Sequence, residues 1–565
     1  MSQPGHLNRI HITYHHGGRT TRLETREGET LLSALRTAGV AFNGDCGGKG
    51  TCGKCRVHLD RGDGAPNERE LSVLDGLVEK GWRLACQITA HEDLEVTVPD
   101  IRRAQVSTDG IVPPVALDPV IVRGKACITP PSLEDQSPDD ERFSEVTALS
   151  LPYRFLAMLP ASLRDSGYCP SYLYRSDRSE VVRFVDEDVD KAERPLLGVA
   201  VDIGTTTLAV YLYDLETGRR IGTAAALNPQ KAYGADVISR IEYASESQDK
   251  LASLQRMLTD RIGELAVGLA EKHGFDRTDL LTYTLAGNTT MMHLLAGLPP
   301  RAIAVAPFIP VTTSARTVWA DELGIAAGEG ALCVLLPCVA AYVGADIVAG
   351  ILATGLEHRT GAPALLVDIG TNGEIVLATD HGMIACSTAA GPAFEGANLL
   401  FGMGGVEGAI DHVRFEDGDL AFTTIGRAPA AGLCGSGIVD IMAFLLEQAV
   451  VDETGRITDE PEDLPESLAS RILVHNGQAA FRVTEPTESI PTGILLTQRD
   501  VRELQNAKAA VRAGIEILIE TAGITAEGIS DLYVAGGFGN YLDIASAFRI
   551  GLFPPELQGR TRMAG

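Results

Sequence analysis

The chain is 565 residues long, with 48 Lys and Arg against 75 Asp and Glu, a formal net charge of −27 and 45% apolar residues. That length suggests three or four domains with cores of their own, and the apolar fraction excludes a mostly disordered chain. The acidity argues against a nucleic-acid binder, whose footprint is a basic stripe.

The charge is uneven. Residues 1–99 hold 12 basic and 13 acidic side chains, so nearly all the excess lies beyond them. No apolar run of signal-peptide length opens the chain, and the uncharged stretch 331–345 is broken by Pro337 and too short to span a bilayer. The expected compartment is the reducing cytoplasm, without membrane contact, where ten cysteines do not read as a disulfide framework.

Residues 9–14 and 20–25 alternate like a hairpin, 30–38 reads as a short helix, and 56–60 and 94–98 read as strands. Between them, Asp45-Cys-Gly-Gly-Lys-Gly-Thr-Cys-Gly-Lys-Cys55 sets Cys46, Cys52 and Cys55 in a C-x5-C-x2-C array, and Cys86 follows. Four thiolates suit an iron–sulfur cluster, and a tight loop plus one distant cysteine is the plant-type ferredoxin arrangement. Gly47, Gly48, Gly50 and Gly53 let the backbone wrap closely and aim amides at cluster sulfurs. A structural zinc site, which prefers two C-x2-C pairs, and inert buried cysteines are the competing readings. Over residues 5–99 the order of elements resembles the β-grasp fold of two-iron ferredoxins, with the longer first spacing of the adrenodoxin-like branch. The resemblance implies one 2Fe-2S cluster on these four cysteines. The other six, Cys127, Cys169, Cys333, Cys338, Cys386 and Cys434, read as small buried residues, so no second cluster is expected.

Residues 100–118, which contain Pro113-Pro114, read as an exposed linker. Residues 119–194 read as a small α+β middle domain, helical across 144–166, with no identifiable chemistry.

An internal repeat follows over 196–565. Val199-Ala-Val-Asp-Ile-Gly-Thr-Thr-Thr207 is echoed by Leu366-Val-Asp-Ile-Gly-Thr-Asn-Gly373, each an apolar strand, an Asp-x-Gly-Thr turn and a second strand. Gly204, Thr205 and Thr206, and Gly370, Thr371 and Asn372, are placed to offer backbone N–H groups to phosphate oxygens. Asp202 and Asp368 are expected to face each other across a cleft, hold magnesium through its water shell and orient the attacking water. A third motif, Asp531-Leu-Tyr-Val-Ala-Gly-Gly-Phe-Gly-Asn540, is a buried strand running into Gly536 and Gly537 ahead of a helix, a place for a nucleotide to lie against backbone. Four further residues are candidates: Asp346 facing the cleft, Asn288 at a strand tip, Gly435 opening a helix, and Lys508 reaching the ribose or adenine. For these a cap, a packing glycine or a solvated lysine is an equal reading.

The three motifs together resemble the actin, sugar-kinase and heat-shock ATPase superfamily. That implies two ribonuclease-H-like halves with ATP and Mg2+ between them. The expected fold class is therefore multidomain α/β and α+β: ferredoxin, linker, middle domain and a duplicated ATPase domain. AGNTTM, PCVAAYVGAD, VDIGTNGEI, GPAFEGANL, CGSGIVD and VAGGFGNYL, with the ferredoxin ahead of them, resemble the reductive activators of corrinoid proteins. The resemblance implies an ATP-hydrolysing iron–sulfur activase. Its task is to pass one electron to cobalt(II) of a corrinoid (cobalamin) protein in a methyltransferase system and restore cobalt(I). An upstream electron donor is also implied, and no motif carries a homodimer. That family usually continues through another short helical segment, so a truncated C-terminus is expected. The alternatives are an activator of the acyl-CoA dehydratase type, a sugar kinase with an accessory ferredoxin, and an electron carrier with a regulatory nucleotide domain.

Overall fold

The computed structural model describes residues 9–564, apart from 17, 39, 41–47, 51, 52, 63, 64, 75, 100–115, 186–193, 235, 371, 397, 417, 418, 489 and 537–541. Cys46, Cys52, Thr371, Gly537 and most of the expected linker lie outside the described residues.

The N-terminal module is a five-stranded sheet in the order Arg19–Arg26, Arg9–His16, Leu94–Thr97, Arg56–Arg61 and Trp82–Leu84. Strand Arg9–His16 runs antiparallel to the first and parallel to the third. Its alternation turns Ile10, Ile12 and Tyr14 to the buried face, towards Leu31, Leu32 and Leu35 of helix Leu31–Thr37. Thr30 caps that helix, accepting from the Ser33 N–H. Glu70 is fully buried and accepts two hydrogen bonds of 2.8 Å from Arg83 and one of 3.0 Å from the Leu84 N–H. This pair ties helix Glu68–Leu74 to the strand that leads into Cys86.

Strands Ile121–Lys125, Ser171–Arg175 and Glu180–Val185 form an antiparallel sheet. The helix expected across 144–166 arrives as three short ones, Asp139–Thr147, Tyr153–Leu156 and Leu159–Asp165. Ala148 turns left-handed at φ 56° and Pro152 forbids a continuous ladder, so the periodicity is real but the helix is broken. A second departure is covalent: Cys127 and Cys169, read as separate buried residues, are joined in a disulfide. Ile121, Leu173 and Val182 of this sheet pack with Leu196, Leu281 and Leu332, and the Arg183 guanidinium donates to the carbonyls of Thr278 and Glu329.

Two larger sheets follow with the same internal plan. The first has the order Arg220–Leu227, Thr207–Asp214, Leu197–Ile203, Leu280–Gly287, Leu332–Leu335 and Arg316–Trp319. The second has Gly382–Thr388, Gly373–Thr379, Ala364–Ile369, Asp531–Ala535 and Thr561–Met563. In each, three antiparallel strands are joined by a parallel crossover strand. A 25-residue helix, Gln248–Lys272 or Gln498–Ala522, covers the outer strands of each. Each half buries a core of its own. Duplication in sequence is thus duplication in fold, and it sets the two Asp-x-Gly-Thr turns at equivalent strand ends.

Candidate functional site

Asp202 ends one central strand and Asp368 the other; Ala286 and Ala535 lie beside them on the parallel neighbours. Asp346 reaches the same region from the start of helix Ala345–Thr354, and its carboxylate accepts from the Ile347 N–H at 2.8 Å. Packed protein surrounds the three carboxyls, which feel one another, although the cleft leaves Asp202 exposed to solvent and Asp346 and Asp368 half-buried. Burial first, then Asp346, pushes Asp202 up to about 7; burial pushes Asp346 to about 6. Burial, then Asp346, Asp202 and Glu395, pushes Asp368 to about 8. Among the described residues no lysine or arginine pairs with any of the three.

The first turn is held rigidly. Asn288 caps helix Thr289–Leu295 and donates to Thr205 Oγ1 at 3.0 Å. Asn228 donates to the Gly204 carbonyl at 2.9 Å, and its own N–H donates to the Thr206 carbonyl at 2.9 Å. In the second turn the Gly370 N–H donates to the Asn372 carbonyl at 2.9 Å. Gly536 closes the cleft floor: at φ +109°, a Cβ there would stand 2.3 Å from the Ile369 carbonyl and 2.9 Å from an Asp368 oxygen. Only glycine allows that approach.

The structure therefore brings together Asp202, Asp346, Asp368, Gly204, Thr205, Thr206, Asn288, Gly370, Asn372 and Gly536. Gly435 opens the buried helix Gly435–Glu447, and Lys508 lines a small cavity with Met442, Leu446, Asp452 and Gln505.

Three charged residues of this region were not singled out from sequence. Glu374 pairs with Asp368 across the second hairpin, and burial, then Asp368, raises its carboxyl well above the usual range. It stands where the first hairpin has Leu208, and a charge in an otherwise apolar strand was the available signal. Glu395, inside GPAFEGANL, accepts from Thr206 Oγ1 at 2.7 Å and so bridges the two halves. Arg240, fully buried, donates through Nε to the Gly234 carbonyl at 2.9 Å and through Nη2 to the Thr205 carbonyl at 2.5 Å. Neither position shows any periodicity that would betray it.

A solvent-open cleft of crowded carboxyls without cationic partners among the described residues fits a hydrated divalent ion, and the turn amides fit the phosphates that accompany it. In the ferredoxin module, Cys55 and Cys86 are buried, and the Gln87 side-chain amide donates to Cys86 Sγ at 3.3 Å. Gly48, Gly50 and Gly53 all sit at positive φ around these thiols, and Gly48 packs against the Cys86 Cβ. Buried thiols ringed by left-handed glycines and a side-chain amide donor fit an iron–sulfur cluster.

Residues 14–91 match the 2Fe-2S iron-sulfur cluster binding domain, residues 197–359 the RACo middle region, and residues 362–565 the C-terminal domain of RACo, the ASKHA domain. The last two matches meet at the junction of the two α/β sheets, and residues 119–185 lie outside all three. The chain is 31% identical over 541 residues to the corrinoid activation enzyme RamQ of Eubacterium limosum, covering 93% of this chain and 86% of that protein. It is 24% identical to the Co(II) methylated amine-specific corrinoid protein reductase of Methanosarcina barkeri, over 64% of this chain and 66% of that one. Among solved structures, a reductive activator for corrinoid, iron-sulfur protein aligns with a TM-score of 0.71 at 30% identity, covering 98% of this chain and 90% of that chain.

Proposed function

The chain belongs to the reductive activators of corrinoid proteins, and we propose that it uses ATP to drive a one-electron reduction of such a partner's cobalt(II) to cobalt(I). The observation that carries this reading is the pairing of Asp202 and Asp368, with Asp346, in one cleft between matched turns, on the same chain as the buried Cys55 and Cys86. The partner is a corrinoid protein of a methyltransferase system, recharged for methyl transfer, and the electron enters from an upstream reductant in the cytoplasm. No helix among the described residues is long and apolar enough to cross a membrane.

Each group has a task. The amides of Gly204 to Thr206 and of Thr371 and Asn372 hold the phosphates, with the Gly370 N–H bracing its own turn and Asn288 and Asn228 fixing the first. Asp202 and Asp368, with Asp346 beside them, would hold Mg2+, which would offset phosphate charge, and the Asp202 and Asp368 carboxylates are placed to orient the attacking water. On Cys46, Cys52, Cys55 and Cys86 the 2Fe-2S cluster supplies a one-electron carrier, near roughly −400 mV in plant-type proteins. A deficit of about 200 mV against cobalt costs about 4.6 kcal/mol per electron. Unequal binding of the partner in two nucleotide states offsets a cost of that order.

Two variants test the coupling under anaerobic conditions. Asp202→Asn is expected to lose ATP hydrolysis and cobalt reduction while keeping the cluster spectrum. Cys55→Ala is expected to hydrolyse ATP and leave cobalt unreduced. Undiminished cobalt reduction by either variant refutes the reading.

A further inference from the structure

The segment Gly391-Pro-Ala-Phe-Glu-Gly396 is the one conspicuous motif to which the proposed chemistry gives no task. It is rooted in the second-half core, where Ala393 and Phe394 are buried, and it closes in a 3₁₀ turn Pro392–Glu395. Gly396 sits at φ +73°, so tightly against the backbone of Met403 that a Cβ would stand 2.3 Å from its carbonyl oxygen. The Gly396 carbonyl is therefore aimed by this turn, and its direction follows the position of the turn.

Two contacts converge on these adjacent residues. On the cleft side, Glu395 accepts the Thr206 hydroxyl proton at 2.7 Å, and one of its carboxylate oxygens is 3.8 Å from where a Gly370 Cβ would stand. Glu395 thus touches both phosphate turns. On the outer side, Lys54 donates to the Gly396 carbonyl at 3.0 Å, across 342 residues of sequence. Lys54 lies between Cys52 and Cys55, in the loop that holds the cluster. A second lysine of the same module, Lys80, donates to the Glu488 carbonyl at 3.5 Å. A nearly neutral module thus meets the acidic body through its lysines.

We propose that Glu395-Gly396 is a nucleotide-sensitive dock for the chain's own cluster loop, joined to it through Lys54. The inference rests on the cleft binding ATP, as proposed above, and adds how that binding reaches the electron carrier. A threonine hydroxyl has a single proton to donate. Phosphate oxygens seated at the first turn compete with Glu395 for the Thr206 proton, and their negative charge repels the Glu395 carboxylate. Glu395 withdraws, and the adjoining Gly396 carbonyl moves off Lys54. The cluster module is parked on the body without nucleotide and freed towards the corrinoid partner when ATP binds.

The test uses the full, cluster-loaded chain and a zero-length carbodiimide, which joins a lysine amine to a nearby carboxyl as an amide and leaves as its urea, carrying off the carboxyl oxygen. The readout, quantified by mass spectrometry, is the peptide in which Lys80, seated 3.5 Å from the Glu488 main-chain carbonyl, is joined to the side-chain carboxyl of that same residue. Without nucleotide the wild type is expected to give this peptide, and a non-hydrolysable ATP analogue with Mg2+ to lower its yield about tenfold, the factor one charge-assisted hydrogen bond brings. Lys54→Ala, its cluster verified by absorbance, is expected to show the low yield without nucleotide. Glu395→Ala is expected to bind the analogue in calorimetry with no further fall in yield. An unchanged yield in Lys54→Ala overturns the dock whether or not ATP binds. An unchanged wild-type yield alongside calorimetric binding of the analogue overturns the gating. Absence of binding overturns the ATP reading itself, and the gating with it.

Discussion

Replacing Asp368 with Asn is expected to stabilise the nucleotide-free protein while ending its ATPase activity. The folded carboxyl is raised to about 8 from a usual 3.8, chiefly by burial and then by Asp346 and Asp202. Between those values the folded state keeps a proton that the unfolded chain releases, so stability falls as pH rises through the window. At pH 7 the unfolded carboxyl is about 3.2 pH units past its midpoint, which at about 1.36 kcal/mol each amounts to about 4 kcal/mol. Asparagine has no proton to lose and keeps the shape. The expected gain at pH 7 is about 2–4 kcal/mol, the lower figure allowing for water in the cleft, or about 5–10 °C in the melting of the second half. The assay is anaerobic thermal unfolding of wild type and variant at pH 6, 7 and 8, without Mg2+ or nucleotide. The difference between them should widen by a little over about 1 kcal/mol from pH 6 to 7 and by less from pH 7 to 8, where the folded carboxyl is itself half ionised. A variant no more stable than wild type, or a gap that ignores pH, refutes the picture of a protonated, charge-crowded cleft.

Other outcomes follow from the same geometry. Because Asp346, Asp202 and Asp368 sit at about 6, 7 and 8, and a divalent ion selects their ionised forms, Mg2+–nucleotide affinity should rise from pH 6 to pH 8.5 with proton release; calorimetry giving a flat profile contradicts this. Arg83→Met leaves the buried Glu70 carboxylate unpaired and should destabilise the ferredoxin module by about 3–5 kcal/mol, seen as earlier loss of cluster absorbance on heating. The double variant with Glu70→Gln should recover much of that loss, and equal lability of both argues against the ion pair as the cause. Arg240→Met, which releases the Thr205 carbonyl, should weaken nucleotide binding about tenfold, with Lys a poor substitute for the forked guanidinium. Wild-type affinity in Arg240→Lys removes that requirement.

What the sequence disclosed was whatever repeats or keeps a strict local spacing. The cluster loop shows itself because three thiols and their glycines sit in one short stretch, with Cys86 as the fourth. The two halves show themselves because Asp-Ile-Gly-Thr recurs with matched strands, and the fold doubles accordingly. Residues acting across long separations stayed hidden. Glu395 meets Thr206 across 189 residues, and Lys54 meets Gly396 across 342, with no periodicity to connect them. Cys127 and Cys169 pair because two strand ends converge, which a separation of 42 does not announce. Lys508 shows the reverse case: its amphipathic helix was legible, but which cavity it faces depends on how three helices pack. The break at Ala148 and Pro152 was hidden differently, since the apolar spacing continues through a chain that turns.

The coupling of ATP to cobalt reduction is tested most directly by following the optical spectrum of a purified cobalt(II) corrinoid protein, mixed anaerobically with the cluster-loaded chain and a chemical reductant. Cobalt(I) is expected to accumulate when Mg2+ and ATP are added and to stay absent with ADP. The same rate and extent of reduction without nucleotide, or with protein lacking its cluster, contradicts the account.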